Sequence, residues 1–211
     1  MKLKGDFAVQ QGKFIVFEGI DGCGKSTQIK MLAEALRARG REVVVTAEPT
    51  DTETGRMLRR ALSGAMSATP CRMAAMFTLD RIVHNTAEGG INDTLRSGAD
   101  MLSDRYYYSS LAYQGSLCDY EWVKGMNVNC PDIRKPDLCI FLDIPPREAL
   151  ERIGKRGEAM EIYEKEDTLT AFRNTFLHVF QTLGDNVAVI DASGSPEEVA
   201  ARVLSAAEKI L

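Results

Sequence analysis

Short apolar runs alternate along the chain with longer stretches in which apolar positions recur every three or four residues. "KFIVFEG" (13–19), "REVVVTAEP" (41–49), "ADMLSD" (99–104), "DLCIFLDIPP" (137–146) and "NVAVIDAS" (186–193) read as strands that are apolar almost throughout. Between them lie amphipathic helices. Ile29, Leu32, Ala33 and Leu36 share one face of the first, and Gly40 stops it. One long helical pattern covers about Cys71 to Arg96. The last helix has Ser195 as N-cap, Pro196 as first helical residue and Glu198 completing a capping box, with Val199, Val203 and Ala207 on one face. Strands apolar on both faces and separated by helices predict an α/β fold, a five-stranded parallel sheet with helices on both sides. Ligands of such sheets bind beyond the carboxyl ends of the strands, so Asp104, closing the third strand, falls on that rim.

A length of 211 residues suits a single domain, 13–211, preceded by an arm, 1–12, that lacks strong patterning. No repeat or low-complexity tract interrupts it. Neither a signal peptide nor a membrane span is expected. The net charge of −4 gives no general attraction to nucleic acid or anionic membrane. Five cysteines without a C-x-x-C spacing, and two histidines, argue against a zinc site and for reduced thiols in the cytoplasm.

"GIDGCGKS" (19–26) fits G-x-x-x-x-G-K-[ST] between a strand and a helix. Gly19, Gly22 and Gly24 let successive N–H groups point at phosphate oxygens, and the helix N-terminus adds partial positive charge. Lys25 reaches the β- and γ-phosphates, Ser26 is a magnesium ligand, and Asp21, Cys23 and Thr27 complete the loop. Cys23 stands near Lys25 and a helix start, where a thiolate would be stabilised, but a small residue filling the loop is the preferred reading. This predicts a nucleotide as phosphate donor, with Mg2+. No N-K-x-D guanine signature occurs, "DASG" (191–194) comes too late to be a γ-phosphate switch, and the chain lacks the basic clusters of a nucleic-acid motor.

The acceptor is indicated by "EP" (48–49), "FTLDR" (77–81), "DRYYYSSLAYQG" (104–115), "PDLCIFLDI" (136–144) and "KRGEAMEIYE" (155–164), in this order after "FEGIDGCGKSTQ". Together they closely resemble the thymidylate kinases, P-loop nucleoside monophosphate kinases with a three-layer fold, and the resemblance runs from about Lys13 to the C-terminus. It implies transfer of the γ-phosphoryl of ATP to dTMP, and a homodimer. By the same resemblance Phe77 stacks on thymine, and Arg81 lies beside the base and acceptor phosphate. Asp80, between them, reads as a helix-surface or linking acid. Arg105 grips the acceptor phosphate, Asp104 lies near the magnesium and its waters, and Asp21 contacts the sugar 3′-hydroxyl. Tyr106 takes the position beside the arginine, Tyr113 crowds the sugar C2′, and Ser110 and Gln114 face the base edge. Tyr107 and Tyr108 match no family role; one is expected to pack and the other to lie near solvent.

Family members carry a mobile cation either in the P-loop, at the position of Gly22, or in a lid. Here the lid, about 153–164, offers Arg152, Lys155 and Arg156, with Arg156 favoured and Arg152 placed near ATP. Glu161 and Tyr163 border the site. Where many bacterial members read Glu-Pro-Gly-Gly this chain reads "EPTD" (48–51), and Ala47 replaces an arginine. Arg56 and Arg59 are the candidates for that missing acceptor-phosphate contact. Rival readings are a kinase for another monophosphate or a deoxynucleoside, and a nucleotide-dependent switch or binding module.

Overall fold

The structure, a computed structural model, describes residues 11–154 and 165–211. Its strands are β1 (Phe14–Glu18), β2 (Val43–Ala47), β3 (Asp100–Asp104), β4 (Leu138–Asp143) and β5 (Val187–Asp191). All pair in parallel, in the order β2-β3-β1-β4-β5, so among the described residues they form one five-stranded sheet with the P-loop strand in the middle. The helices are α1 (Lys25–Ala38), α2 (Glu53–Leu62), α3 (Pro70–Thr86), α4 (Ile91–Arg96), α5 (Tyr107–Tyr113), α6 (Tyr120–Val128), α7 (Pro146–Gly154), α8 (Glu166–Leu183) and α9 (Pro196–Ala207).

Side chains of β1 alternate between two cores. Ile15 and Phe17 pack with Ile29, Leu32 and Leu36 of α1 and Val199 and Val203 of α9. Phe14 and Val16 pack on the other face with Ile91, Leu95, the tyrosines of α5 and Phe176 of α8. This two-sided burial explains why the central strands carry no polar alternation. The edge strands differ: Val45 and Val189 are exposed.

The capping box of Ser195 and Glu198 forms, and Gly40 follows α1 with φ +82°. The helical pattern expected over 71–96 is broken. It divides into α3 and α4 at residues 87–90, where Gly89 takes φ +71° and Ala87 leaves helical geometry. Gly12 already belongs to the fold: its N–H donates to the Leu95 carbonyl, and a Cβ there would collide with the Ala99 carbonyl oxygen. The remainder of the arm, residues 1–10, lies outside the described residues.

Candidate active site

The P-loop leaves β1 and enters α1 through backbone that only glycine adopts freely: Gly22 has φ +80° and Gly24 φ +99°. A Cβ at Gly22 would also come within 2.5 Å of the Ala149 carbonyl oxygen, so α7 bars any side chain from this position. Lys25 folds over the loop, donating to the Gly19 carbonyl at 3.0 Å. Burial and the Arg105 charge press its pKa down, but Cys23, Asp104 and Asp21 together outweigh them and raise it, so its ammonium is secure. Cys23 is itself buried, and burial pushes its thiol up rather than down. The environment therefore does not stabilise a thiolate, and Cys23 fills space in the loop.

Parallel pairing sets Phe17 of β1 beside Asp104 of β3. The Ser26 hydroxyl donates to Asp104 Oδ2 at 3.4 Å, while Asp104 Oδ1 is buried with no hydrogen-bond partner. Two hard oxygen groups beside a phosphate-binding loop fit a magnesium ion completed by phosphate and water oxygens. Among the described residues no group of three or more His, Cys, Asp or Glu side chains could hold a metal alone.

Beyond the loop a cleft opens between β3, α3 and α5. Phe77 and Pro49 line one side, Tyr113 and Gln114 the other, and Asp21 and Arg105 close its P-loop end. Arg105 donates to Asp21, forming an ion pair, and its guanidinium carbon stands 5.5 Å from the centre of the Tyr113 ring. Tyr113 in turn packs against Phe172, ring centres 4.2 Å apart. Burial opposes the Arg105 charge, but Tyr113, Asp21, Glu18 and Asp104 hold its pKa well above the ordinary value.

Arg81 and Ser110 sit behind this wall. Arg81 is buried; its Nε and Nη2 donate to Glu48 Oε2 at 2.8 and 2.6 Å, and its Nη1 donates to Ser110 Oγ at 3.1 Å and to Asn127 Oδ1. His84 Nδ1 lies 3.0 Å from the other Glu48 oxygen. Tyr106 faces away from the cleft. Its hydroxyl donates to the Arg134 carbonyl and pairs with Asn85, and its ring packs edge-on against Phe14.

One expectation needs correction. Tyr107 and Tyr108 are both buried and share the Asp185 carboxylate; neither lies near solvent. Asp80 is a linking acid but not a surface one. It is buried and accepts from the Thr50 N–H and from the hydroxyls of Thr50, Thr52 and Thr54, tying α3 to the segment after β2. Burial alone would raise its pKa; these hydrogen bonds outweigh burial and lower it. Arg59 is turned to backbone, donating to the carbonyls of Pro49 and Thr50, and Arg56 donates to that of Asp51.

A second cleft borders Gly24 and Thr27 on the opposite flank of the loop, with Arg152, Ala192, Gly194 and Pro196 around it. Arg152 Nη2 donates to the Ala192 carbonyl at 2.9 Å. "DASG" thus forms a wall beside the donor loop, a role signalled only by its place at the end of β5. Lys155, Arg156, Glu161 and Tyr163 lie outside the described residues.

A family model described as thymidylate kinase matches residues 17–203. The chain belongs to the thymidylate kinase family. A "Thymidylate kinase" from Akkermansia muciniphila is 43% identical over 199 residues, covering 93% of this chain and 92% of that one. A "Probable thymidylate kinase" from Pyrococcus horikoshii is 36% identical over 196 residues, 90% of this chain and 92% of its own. A "Putative thymidylate kinase" from Treponema pallidum is 35% identical over 198 residues, with the same two coverages. Membership in the thymidylate kinase family carries its activity, ATP-dependent phosphorylation of dTMP to dTDP. No helix of the described residues is long and apolar enough to cross a membrane.

Proposed function

We propose that the two clefts flanking the P-loop hold ATP and dTMP end to end, and that fixed cations carry the transfer between them. The observation that supports this most is Arg105: a guanidinium at the P-loop end of a cleft whose walls are Phe77 and Tyr113. An apolar slot with one cationic end suits a pyrimidine nucleotide whose ring lies on Phe77 and whose phosphate meets the arginine. By the family resemblance Tyr113 crowds a 2′-hydroxyl, Gln114 meets the base edge and Asp21 the 3′-hydroxyl; that all three line this cleft supports the reading. Ser110, Arg81 and Tyr106 act from behind the wall.

The acceptor phosphate, with a second pKa of about 6, is largely ionised at neutral pH, so no side chain has to remove a proton. The task is alignment of two anions and dispersal of charge on the transferring group. P-loop N–H groups and Lys25 bind the donor phosphates, and Arg105 orients the acceptor. Arg156, in the lid, supplies the mobile charge, because Gly22 has no room for one. Ser26 and Asp104 would hold Mg2+, which neutralises charge between the phosphates when bound. Lid closure excludes water that would otherwise consume ATP.

The protein is further read as a cytoplasmic homodimer. The free state of all five thiols supports the first assignment. The second rests on the family resemblance and on exposed Leu79 and Trp122 of α3 and α6. Sedimentation at micromolar concentration tests it; a monomer there refutes it. The acceptor is tested by ADP release with dTMP, dUMP, UMP, dCMP and thymidine. dTMP should give the highest kcat/KM, and a preference for any other acceptor overturns the reading. ADP release independent of acceptor would instead indicate a nucleotide switch.

A further inference from the structure

We infer that Glu18 is a positioning residue, which holds the 105–109 segment and, through the Ser109 hydroxyl, aims the Arg105 guanidinium at the acceptor phosphate. The inference rests on the reading of Arg105 given under the proposed function.

Glu18 ends β1, a strand otherwise made of Phe14, Ile15, Val16 and Phe17, and it is fully buried. A carboxylate in such a place is costly unless every lone pair direction is used. Here both oxygens are engaged by one segment. Oε1 accepts the Tyr106 N–H at 2.8 Å and the Ser109 N–H at 3.1 Å, and Oε2 accepts the Ser109 hydroxyl at 2.7 Å. Helix α5 has no side-chain cap of its own at Tyr106, so Glu18 caps it from the neighbouring strand.

The residue just before this clamp is Arg105, at φ +68°, a left-handed conformation that an arginine does not favour. Its N–H donates to the Phe17 carbonyl and its carbonyl accepts from Ser103 Oγ. The carboxylate of Glu18 fixes the next peptide. The side chain is tied to the same clamp: Arg105 Nη1 donates to Ser109 Oγ at 3.2 Å. The Ser109 hydroxyl has one proton, which goes to Glu18 Oε2, leaving its lone pair for the guanidinium. The direction of donation therefore runs from Arg105 through Ser109 to Glu18.

An amide in place of the carboxylate reverses this. With its oxygen facing the Tyr106 and Ser109 N–H groups, its nitrogen would donate to Ser109 Oγ. The serine proton would then be turned out toward Arg105, itself a donor. Glu18 does not line the cleft. It thus affects the acceptor indirectly, through the 105–109 segment that it clamps. Burial also pushes the Glu18 carboxyl up to about 7, against the pull of Arg105, the Ser109 hydroxyl, the Tyr106 N–H and Lys25.

The test compares affinities of the full chain for dTMP and for thymidine, which lacks the phosphate. Glu18→Gln should weaken dTMP about tenfold or more while thymidine binding stays within about twofold. Ser109→Ala, which leaves both backbone bonds to Glu18 in place, should give the same selective loss at smaller size and keeps the test open if Glu18→Gln does not fold. Equal losses for nucleotide and nucleoside, or no loss in either variant, overturn the positioning role. Arg105→Ala separates the two readings. If it leaves the dTMP-to-thymidine ratio at the wild-type value, the assignment of Arg105 fails. If it collapses the ratio and the other variants do not, Glu18 alone is refuted.

Discussion

Arg81 of α3 and Glu48, just after β2, form a buried pair in which two guanidinium nitrogens meet one carboxylate oxygen. They join the two elements that carry Phe77 and Pro49, and so hold that one wall of the acceptor cleft together. Glu48→Ala strands a buried arginine and should destabilise the fold by roughly 3–5 kcal/mol. Urea denaturation measures this. A loss below about 1 kcal/mol would mean that Arg81 finds other partners or water.

Tyr113 is held in place by Phe172 and Phe176, so its ring is a fixed wall. Tyr113→Ala should relax discrimination against ribose. The ratio of kcat/KM for dTMP to that for ribothymidylate should fall toward one. An unchanged ratio would remove the residue from sugar selection.

Gly22 is crowded by α7 and leaves no room there for a basic side chain, so the proposed role falls to Arg156. Arg156→Ala should lower kcat by about a hundredfold or more, while dTMP affinity changes by less than about threefold. Turnover near the wild-type rate would exclude Arg156 from the transfer step.

Two buried carboxyls should bend the pH–stability curve in opposite senses. The Asp80 pKa is lowered in the folded protein, so its contribution is present above its unfolded value and is lost as pH falls through the folded one. The stability gap between wild type and Asp80→Asn should therefore be open at pH 7 and narrow below about pH 4. Glu18 goes the other way. Its folded pKa, about 7, exceeds the ordinary 4.5, so the folded state binds the proton more tightly. Stability referred to Glu18→Gln should fall by on the order of 3 kcal/mol as pH rises from 4.5 to 8. Flat difference curves would contradict either environment.

Much of this was legible in advance because the informative residues are contiguous. Each strand is an apolar run, and the P-loop lies within eight residues between a strand and a helix. Phe77, Tyr113 and Arg105 sit in compact motifs, and the cleft brings them together. What escaped depends on partners distant along the chain. Glu48 is 33 residues from Arg81, and Glu18 is 91 from Ser109. No periodicity marks such pairs. An acid closing an apolar strand was a visible oddity at Glu18, but its meaning needed the neighbouring segment. The split of the long helical pattern was also visible, as adjacent glycines at 89 and 90. Apolar spacing continued across them and masked the stop. Tyr107 and Tyr108 turned inward because Asp185 satisfies both hydroxyls, which a local reading cannot anticipate.

The middle position of β1 in the sheet has a mechanical corollary. One full strand insulates the P-loop from either margin, β3 from β2 and β4 from β5. A side-chain change at outward-facing marginal sites such as Val45 and Val189 therefore meets β3 or β4 before it can reach the phosphate cradle.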